Sequence, residues 1–371
     1  MPETPLTQLS AHGQSVWIDY LSRPFVQDGG LADLARQGVD GVTSNPTIFQ
    51  AAIAQGDAYD DQLREVLKTE SDPKEVFLAL AVQDIQGACD VLRSKWDEGG
   101  GENARDGWVS LEVDPNLARD TAATIAEAKR LHALVDRPNL FIKIPATKEG
   151  LPAIEETIAA GIPVNVTLIF SLERHREVAE AYVRGLQRLA DAGGDLRTMA
   201  SVASFFVSRV DTEADSRLDA VGGHDELKGT LAIANAKLAY VTYQEVFAGA
   251  AWEALAAKGA SAQRCLWAST STKNPAYRDV LYVEELIGPD TVNTMPRETV
   301  EAFLDHGEVR DSLTEDVDGA RRTLEAFAAA GIDYDDVVET LELEGVDKFA
   351  NSFKQLFEDV DAKRQRLEVA A

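Results

Sequence analysis

Residues 139–147 read NLFIKIPAT, a short apolar run with a lysine at its centre. In a strand, successive side chains point to opposite faces. Ile142 and Ile144 therefore share one face, while Phe141, Lys143 and Pro145 share the other. Seven more β-like runs lie along the chain: SVWIDYLS (15–22), GVTSN (41–45), WVSLEVD (108–114), PVNVTLIFS (163–171), MASVASFFVS (199–208), RCLWAST (264–270) and DTVNTMP (290–296). Between them, segments such as 118–135 and 172–193 carry apolar residues at helical spacing. Eight strands alternating with helices predict an α/β fold, a single closed (β/α)8 TIM barrel, with a doubly wound open sheet as the competing solution.

Two stretches exceed a simple barrel unit. Residues 46–107 predict two or three helices and a glycine-rich loop, EGGGENARDG (98–107), which lacks phosphate-cradle spacing. Residues 298–371 read as helical throughout. There Phe349, Phe353, Leu356, Phe357 and Val360 fall on one face, so this helix is expected to pack across the barrel. No linker or repeat divides the chain, and residues 1–371 are expected to form one domain with that insertion and extension.

In a barrel the aliphatic strand face meets the outer helices, which turns Lys143 inward. The same phase sends Leu111 and Val113 outward and Glu112 inward. It places Val166, Leu168 and Phe170 outside with Asn165 and Thr167 inside, and Ile18 and Tyr20 outside with Asp19 inside. Thr43 and Asn45 face in, as do Ser204 and Phe206. Six strands thus aim Asp19, Asn45, Glu112, Lys143, Thr167 and Ser204 at the interior, each near the C-terminal end of its run. Such interiors are normally filled by branched apolar residues, and burying a lysine with two carboxylates is costly unless they pair. A purely structural ion-pair network explains one such group; six convergent groups point to an active site.

A lysine in a low-dielectric pocket can lose its proton and attack a carbonyl. The iminium formed stabilises a carbanion at the neighbouring carbon, which permits reversible carbon–carbon cleavage with no metal or organic cofactor. Asp19 and Glu112 suit proton transfer, and Thr167 could hold a water. The five histidines are scattered without ligand spacing, and neither a GxSxG elbow nor a P-loop occurs.

Composition narrows the partners. Asp and Glu total 63 against 36 Lys and Arg, a formal charge of −27. So negative a surface repels nucleic acid and anionic lipid, and an anionic substrate would need a local basic pocket. Two cysteines, Cys89 and Cys265, are too few for a disulfide framework and are expected to be reduced thiols. With no secretory signal or apolar span in the sequence, the expected compartment is the cytoplasm. Oligomeric state stays open, a homodimer included.

At these residues the chain resembles the transaldolase family of Schiff-base-forming barrels. The matching pieces are TSNPTIF (43–49), SLEVDP (110–115), FIKIPAT (141–147), NVTLIFS (165–171) and ASFFVSRVD (203–211), in family order and spacing. The resemblance implies a Schiff base on Lys143 and a proton carrier at Asp19. It implies a water positioned by Glu112 and Thr167, and hydroxyl contacts from Asn45 and Ser204. It implies a phosphate grip by Arg209, which can donate two parallel hydrogen bonds. The substrates would be sugar phosphates: a dihydroxyacetone unit would pass from sedoheptulose 7-phosphate to glyceraldehyde 3-phosphate in the non-oxidative pentose phosphate pathway.

The sequence departs from the family pattern in two places. WIDYLSR (17–23) matches loosely, so Asp19 rests on strand phase. In WASTSTKNP (267–275), Ser269 fits while Lys273 stands near where many members carry a second phosphate-binding arginine. Fructose 6-phosphate aldolases resemble the chain less, since they tend to lack Glu112 and carry a hydroxylated aromatic in place of Phe206. A deoxyribose-phosphate-type aldolase predicts a second interior lysine, and the nearest, Lys148, lies beyond the strand end. An inactive barrel scaffold predicts that Lys143, Glu112 or Asp19 has decayed, and none has.

Overall fold

The computed structural model describes residues 4–54, 56–99, 101 and 104–370, with side chains through 367. Most of the glycine-rich 98–107 loop is among them, and residues 100, 102 and 103 of it lie outside the described set.

Eight parallel strands close on themselves in chain order. They are β1 (Gln14–Ile18), β2 (Val39–Val42), β3 (Trp108–Glu112), β4 (Leu140–Pro145), β5 (Val164–Ile169), β6 (Ser201–Phe206), β7 (Arg264–Ala268) and β8 (Thr291–Met295). Six of the eight sequence runs contain a whole strand; β1 starts one residue before its run and β2 two residues before its own. The helices follow in order as α1 (Pro5–Ala11), α2 (Arg23–Gln27), α3 (Gly30–Gln37), α4 (Pro46–Ala54), α5 (Asp60–Val66), α6 (Pro73–Glu98), α7 (Thr121–Val135) and α8 (Gly150–Ala159). After these come α9 (Leu172–Asp191), α10 (Ser208–Val221), α11 (Leu231–Val246), α12 (Ala250–Ala256), α13 (Leu281–Glu284), α14 (Arg297–His306), α15 (Val317–Ala329) and α16 (Tyr334–Ala370). The stretch between β2 and β3 holds three helices, α4 to α6. The segment after β8 is not helical throughout: residues 307–316 form loop and turns between α14 and α15.

The starts of the outer helices are written locally. Asp120 accepts from Ala123 N at 2.9 Å at the head of α7, and Ser171 accepts from Arg174 N at 3.0 Å at the head of α9. Each satisfies one backbone donor that a helix start leaves unpaired.

Inside the barrel the strand register stacks side chains in layers. At the floor Trp108 lies on Phe141, ring centroids 4.3 Å apart, and Trp17 stacks beside them at 6.0 Å from Phe141. Gly41 faces this layer, and a Cβ there would sit 2.5 Å from the Trp17 indole. A polar rung lies above. Asn165 donates to Ser110 Oγ at 3.0 Å and accepts from Ser204 Oγ at 2.7 Å. Above that rung the register pairs Glu112 with Lys143 and Pro145 with Thr167. The polar upper layer is therefore a property of strand phase over an aromatic floor.

The alternation fails in one place. Leu168 has φ +59°, and the β5–β6 pairing skips between Val166 and Ile169. Leu168 and Phe170, expected outside, turn instead toward the mouth of the barrel. There Phe170 packs on Phe206 with centroids 5.1 Å apart, and a Cβ on Gly345 of α16 would meet Leu168 Cδ2 at 3.1 Å.

Helix α16 crosses that mouth. Phe353 packs edge-on against Phe77 of α6 at 5.5 Å, Phe77 packs on Phe49 of α4 at 5.5 Å, and Phe357 lies 4.6 Å from Phe353. Burial of such rings contributes about 1.5–3 kcal/mol each. Polar ties flank the aromatic zip. Thr47 bonds Ser352 at 2.9 Å, and Lys363 donates to the carbonyls of Ile53 at 3.2 Å and Gly56 at 2.9 Å. No described helix is long and apolar enough to cross a membrane.

Candidate active site

The C-terminal ends of the strands and the N-terminal half of α16 enclose a cavity of about 300 Å³. Lys143 reaches it from the barrel axis. Its Nζ lies 3.1 Å from Glu112 Oε2 and donates to the carbonyl of Ser44 at 3.2 Å. Both side chains are buried. Asp19, one residue past β1, accepts from Thr43 Oγ1 at 2.7 Å, and Thr43 Oγ1 also bonds Thr294 Oγ1 at 2.7 Å. Burial raises the Asp19 carboxyl above its ordinary range; the Lys143 charge and the Thr43 bond pull it back. Glu112 shows the same balance, burial raising it and Lys143 opposing. Two carboxyl groups raised by burial thus share the pocket with one buried amine.

Thr167 Oγ1 and Glu112 Oε1 are buried with no hydrogen-bond partner among the described residues, and Glu112 Oε2 has only the Lys143 ion pair. An unpaired buried hydroxyl costs about 1–3 kcal/mol, a penalty that a small polar molecule bound at Thr167 would relieve. Asn45 lies past the end of β2, lines the cavity and caps α4 by accepting from Ile48 N at 3.0 Å. Ser204 lines it too, held by Asn165.

Apolar walls come from Phe206 and from Phe349 of α16, whose ring centroid lies 5.6 Å from Lys143 Nζ. Arg209, in the first turn of α10, spreads its guanidinium 5.0 Å from the Phe206 centroid and 5.9 Å from that of Phe349. Ser269 sits just beyond β7 in the left-handed region, φ +58°, and its Oγ meets Ser208 Oγ at 2.9 Å. Lys273 follows in the same loop and donates to Ser271 Oγ at 2.7 Å. Lys273 lines the same cavity.

The loop that carries Lys273 is tied to the helix that carries Arg209. Tyr282 donates to Asp211 Oδ2 at 2.8 Å and Tyr277 donates to Asp215, both aspartates being buried on α10. Burial pushes the Asp211 carboxyl up to about 7. No residue of this brace was singled out in the sequence, because a carboxylate–tyrosine pair joining distant segments has no local signature.

The cavity therefore brings together Asp19, Asn45, Lys143, Thr167, Ser204, Phe206, Arg209, Ser269 and Lys273, with Glu112 against the lysine from behind. Sequence reasoning missed Thr43 and Thr294, which orient Asp19. Thr43 was placed inside but given no task. Also missed were Lys348 and Phe349, supplied by α16. Phe349 was assigned to an apolar face, and only the crossing of α16 over the mouth shows that this face ends on the site. Cys89 and Cys265 are buried free thiols. His175, on α9, is buried, its Nε2 3.7 Å from Cys265 Sγ of β7.

The family described as transaldolase/fructose-6-phosphate aldolase matches residues 16–360. Among curated proteins, the chain is 55% identical over 356 residues to a transaldolase of Frankia alni, covering 95% of each chain. It is 55% identical over 365 residues to a transaldolase of Acidothermus cellulolyticus, covering 98% of this chain and 97% of that one. To transaldolase 1 of Streptomyces coelicolor it is 54% identical over 355 residues, covering 95% and 92%.

Proposed function

Because the chain belongs to the transaldolase/fructose-6-phosphate aldolase family, we propose that it is a transaldolase that carries a dihydroxyacetone unit on Lys143 between sugar phosphates. The observation that carries the assignment is the buried Lys143–Glu112 pair at 3.1 Å, with Asp19 in the same pocket. The Lys143 amine adds to the C2 carbonyl of the ketose as Glu112 takes its proton, and Glu112 returns and receives the protons that the loss of water requires. Asp19 takes the proton from the C4 hydroxyl as the C3–C4 bond breaks, its electrons flowing into the iminium to leave an enamine. The first aldose departs. An incoming aldose is attacked by the enamine carbon, Asp19 returns its proton to the new alkoxide, and hydrolysis frees the lysine. Sedoheptulose 7-phosphate as donor and glyceraldehyde 3-phosphate as acceptor give erythrose 4-phosphate and fructose 6-phosphate.

Thr167 Oγ1 and Glu112 Oε1 suit a water held between them, which would serve hydrolysis and proton exchange at the lysine nitrogen. Asn45 and Ser204, both lining the cavity, suit the hydroxyls of the three-carbon fragment. Arg209 and Lys273 suit the phosphate, a fork beside a point charge. Transfer requires that the enamine survive until an acceptor arrives. The rings of Phe206 and Phe349 wall the site without offering a hydroxyl that could anchor a protonating water, which favours transfer over fructose 6-phosphate aldolase chemistry.

The test is incubation with fructose 6-phosphate alone, borohydride reduction and peptide mass spectrometry. A reduced three-carbon adduct on Lys143 is expected. An adduct on another lysine refutes the Lys143 assignment and favours another aldolase; no adduct favours an inactive scaffold.

A further inference from the structure

The phosphate end of the cavity opens into an outer recess of about 820 Å³. Arg209, Lys273 and Lys348 line both spaces. They come from three separate places in the fold: the start of α10, the loop after β7 and the roof helix α16. In a chain of formal charge −27, with carboxylates available on every side, none of the three has an acidic group within ion-pair distance among the described residues. Like charges so placed repel. The Arg209 charge, with burial and Lys273 adding to it, holds the Lys348 ammonium below its ordinary range. An unfilled cluster of this kind is stabilised by a bound dianion, which removes the repulsion and adds charge-assisted hydrogen bonds.

The outer recess also presents Glu213, Glu344 and Asp347. These carboxylates line the same recess as the cations, Glu213 paired with Arg217 at 2.7 Å and Glu344 drawing on the Arg209 charge. A second anionic group reaching past the cations meets them.

We propose that Lys348 is a third ligand for the substrate phosphate, and that the carboxylates beyond it restrict this end of the site to one phosphate. The proposal rests on the transaldolase reading of the cavity and extends it. The roof helix then takes part in recognition directly, and the sugars accepted are monophosphates with no further anionic group beyond the phosphate.

The experiment uses the full-length chain with Lys348→Gln and Lys348→Arg, each checked for an unchanged thermal midpoint. Steady-state transfer is measured with fructose 6-phosphate as donor and erythrose 4-phosphate as acceptor. For Lys348→Gln the donor KM is expected to rise about tenfold, the worth of one charge-assisted contact, with kcat within twofold. The inhibition constant of inorganic phosphate should rise in parallel, and Lys348→Arg should recover most of both. Borohydride trapping by unphosphorylated dihydroxyacetone on Lys143 should keep its wild-type concentration dependence. An unchanged donor KM, or an equal loss with dihydroxyacetone, overturns the role of Lys348. Arg209→Gln separates the levels. If it raises the donor KM while Lys348→Gln does not, the phosphate end is placed correctly and only the third ligand is wrong. If wild type gives no adduct on Lys143, the transaldolase reading itself fails.

Discussion

Replacing Thr167 by valine should move stability and activity in opposite directions. Thr167 is fully buried, and its hydroxyl has no hydrogen-bond partner among the described residues. Valine keeps the shape and removes the oxygen. An unpaired buried hydroxyl costs about 1–3 kcal/mol, and any water it holds in the resting protein reduces that penalty. The variant should therefore be as stable as the parent or more stable by about 1 kcal/mol. For a chain of this size that corresponds to a rise of about 2 °C or less in Tm. Catalysis should fall, because the water proposed between Thr167 and Glu112 would lose one of its two anchors. Loss of a positioned proton carrier costs about 10²-fold at the low end, which is about 2.7 kcal/mol in the barrier. Release of glyceraldehyde 3-phosphate from fructose 6-phosphate with erythrose 4-phosphate reports kcat, and thermal unfolding reports stability. A kcat within threefold of wild type refutes the water. A variant that loses more than about 2 kcal/mol of stability together with activity shows the hydroxyl to be structural.

Other outcomes follow from the same geometry. Tyr282→Phe removes a donor from the buried Asp211 carboxylate and should cost about 1.5–3 kcal/mol in urea unfolding; it should also raise the KM for phosphorylated donors with little change in kcat, since the Lys273 loop loses one brace to α10. Burial holds the His175 imidazole down at about 4, below its unfolded value of 6.5. The unfolded chain then binds the extra proton between those values, so this contribution is intact above pH 6.5 and is lost as pH falls to 4, up to about 3 kcal/mol; His175→Gln should flatten that limb of the stability–pH curve measured by urea midpoints. Gly41→Ala puts a methyl 2.5 Å from the Trp17 indole and should destabilise by about 3 kcal/mol or prevent barrel closure, read by calorimetry and near-UV circular dichroism.

The barrel was legible because every strand is short, apolar and separated from the next by a helical pattern, and because side-chain period two needs no partner to be read. Lys143, Glu112, Thr167 and Ser204 were legible as polar exceptions on an inward phase. Phase reasoning failed where the backbone left the strand. Leu168 adopts a left-handed conformation that a leucine gives no hint of, and it carries Phe170 round to the mouth. Asn45 lies past the end of β2, yet the phase continued from Thr43 already turned it inward; Arg209, in the first turn of α10, lies where phase has no meaning, and the resemblance carried it. Lys348 and the tyrosine–aspartate brace depend on contacts between segments far apart in sequence, and no local pattern encodes those.

The crossing helix has a consequence for how such a chain can change over generations. The groups proposed to make and break bonds stand on strands or, for Asp19, one residue past one, locked by barrel register, where almost any replacement disturbs a neighbour. Part of the cavity wall stands on α16, outside the barrel ladder, and Lys348 and Phe349 occupy adjacent positions there. Substitutions at such positions can retune which sugar is held while leaving the nucleophile and its proton carriers untouched. That division marks α16 as the place where natural drift, or a directed library, can explore new donors at the smallest risk to the chemistry.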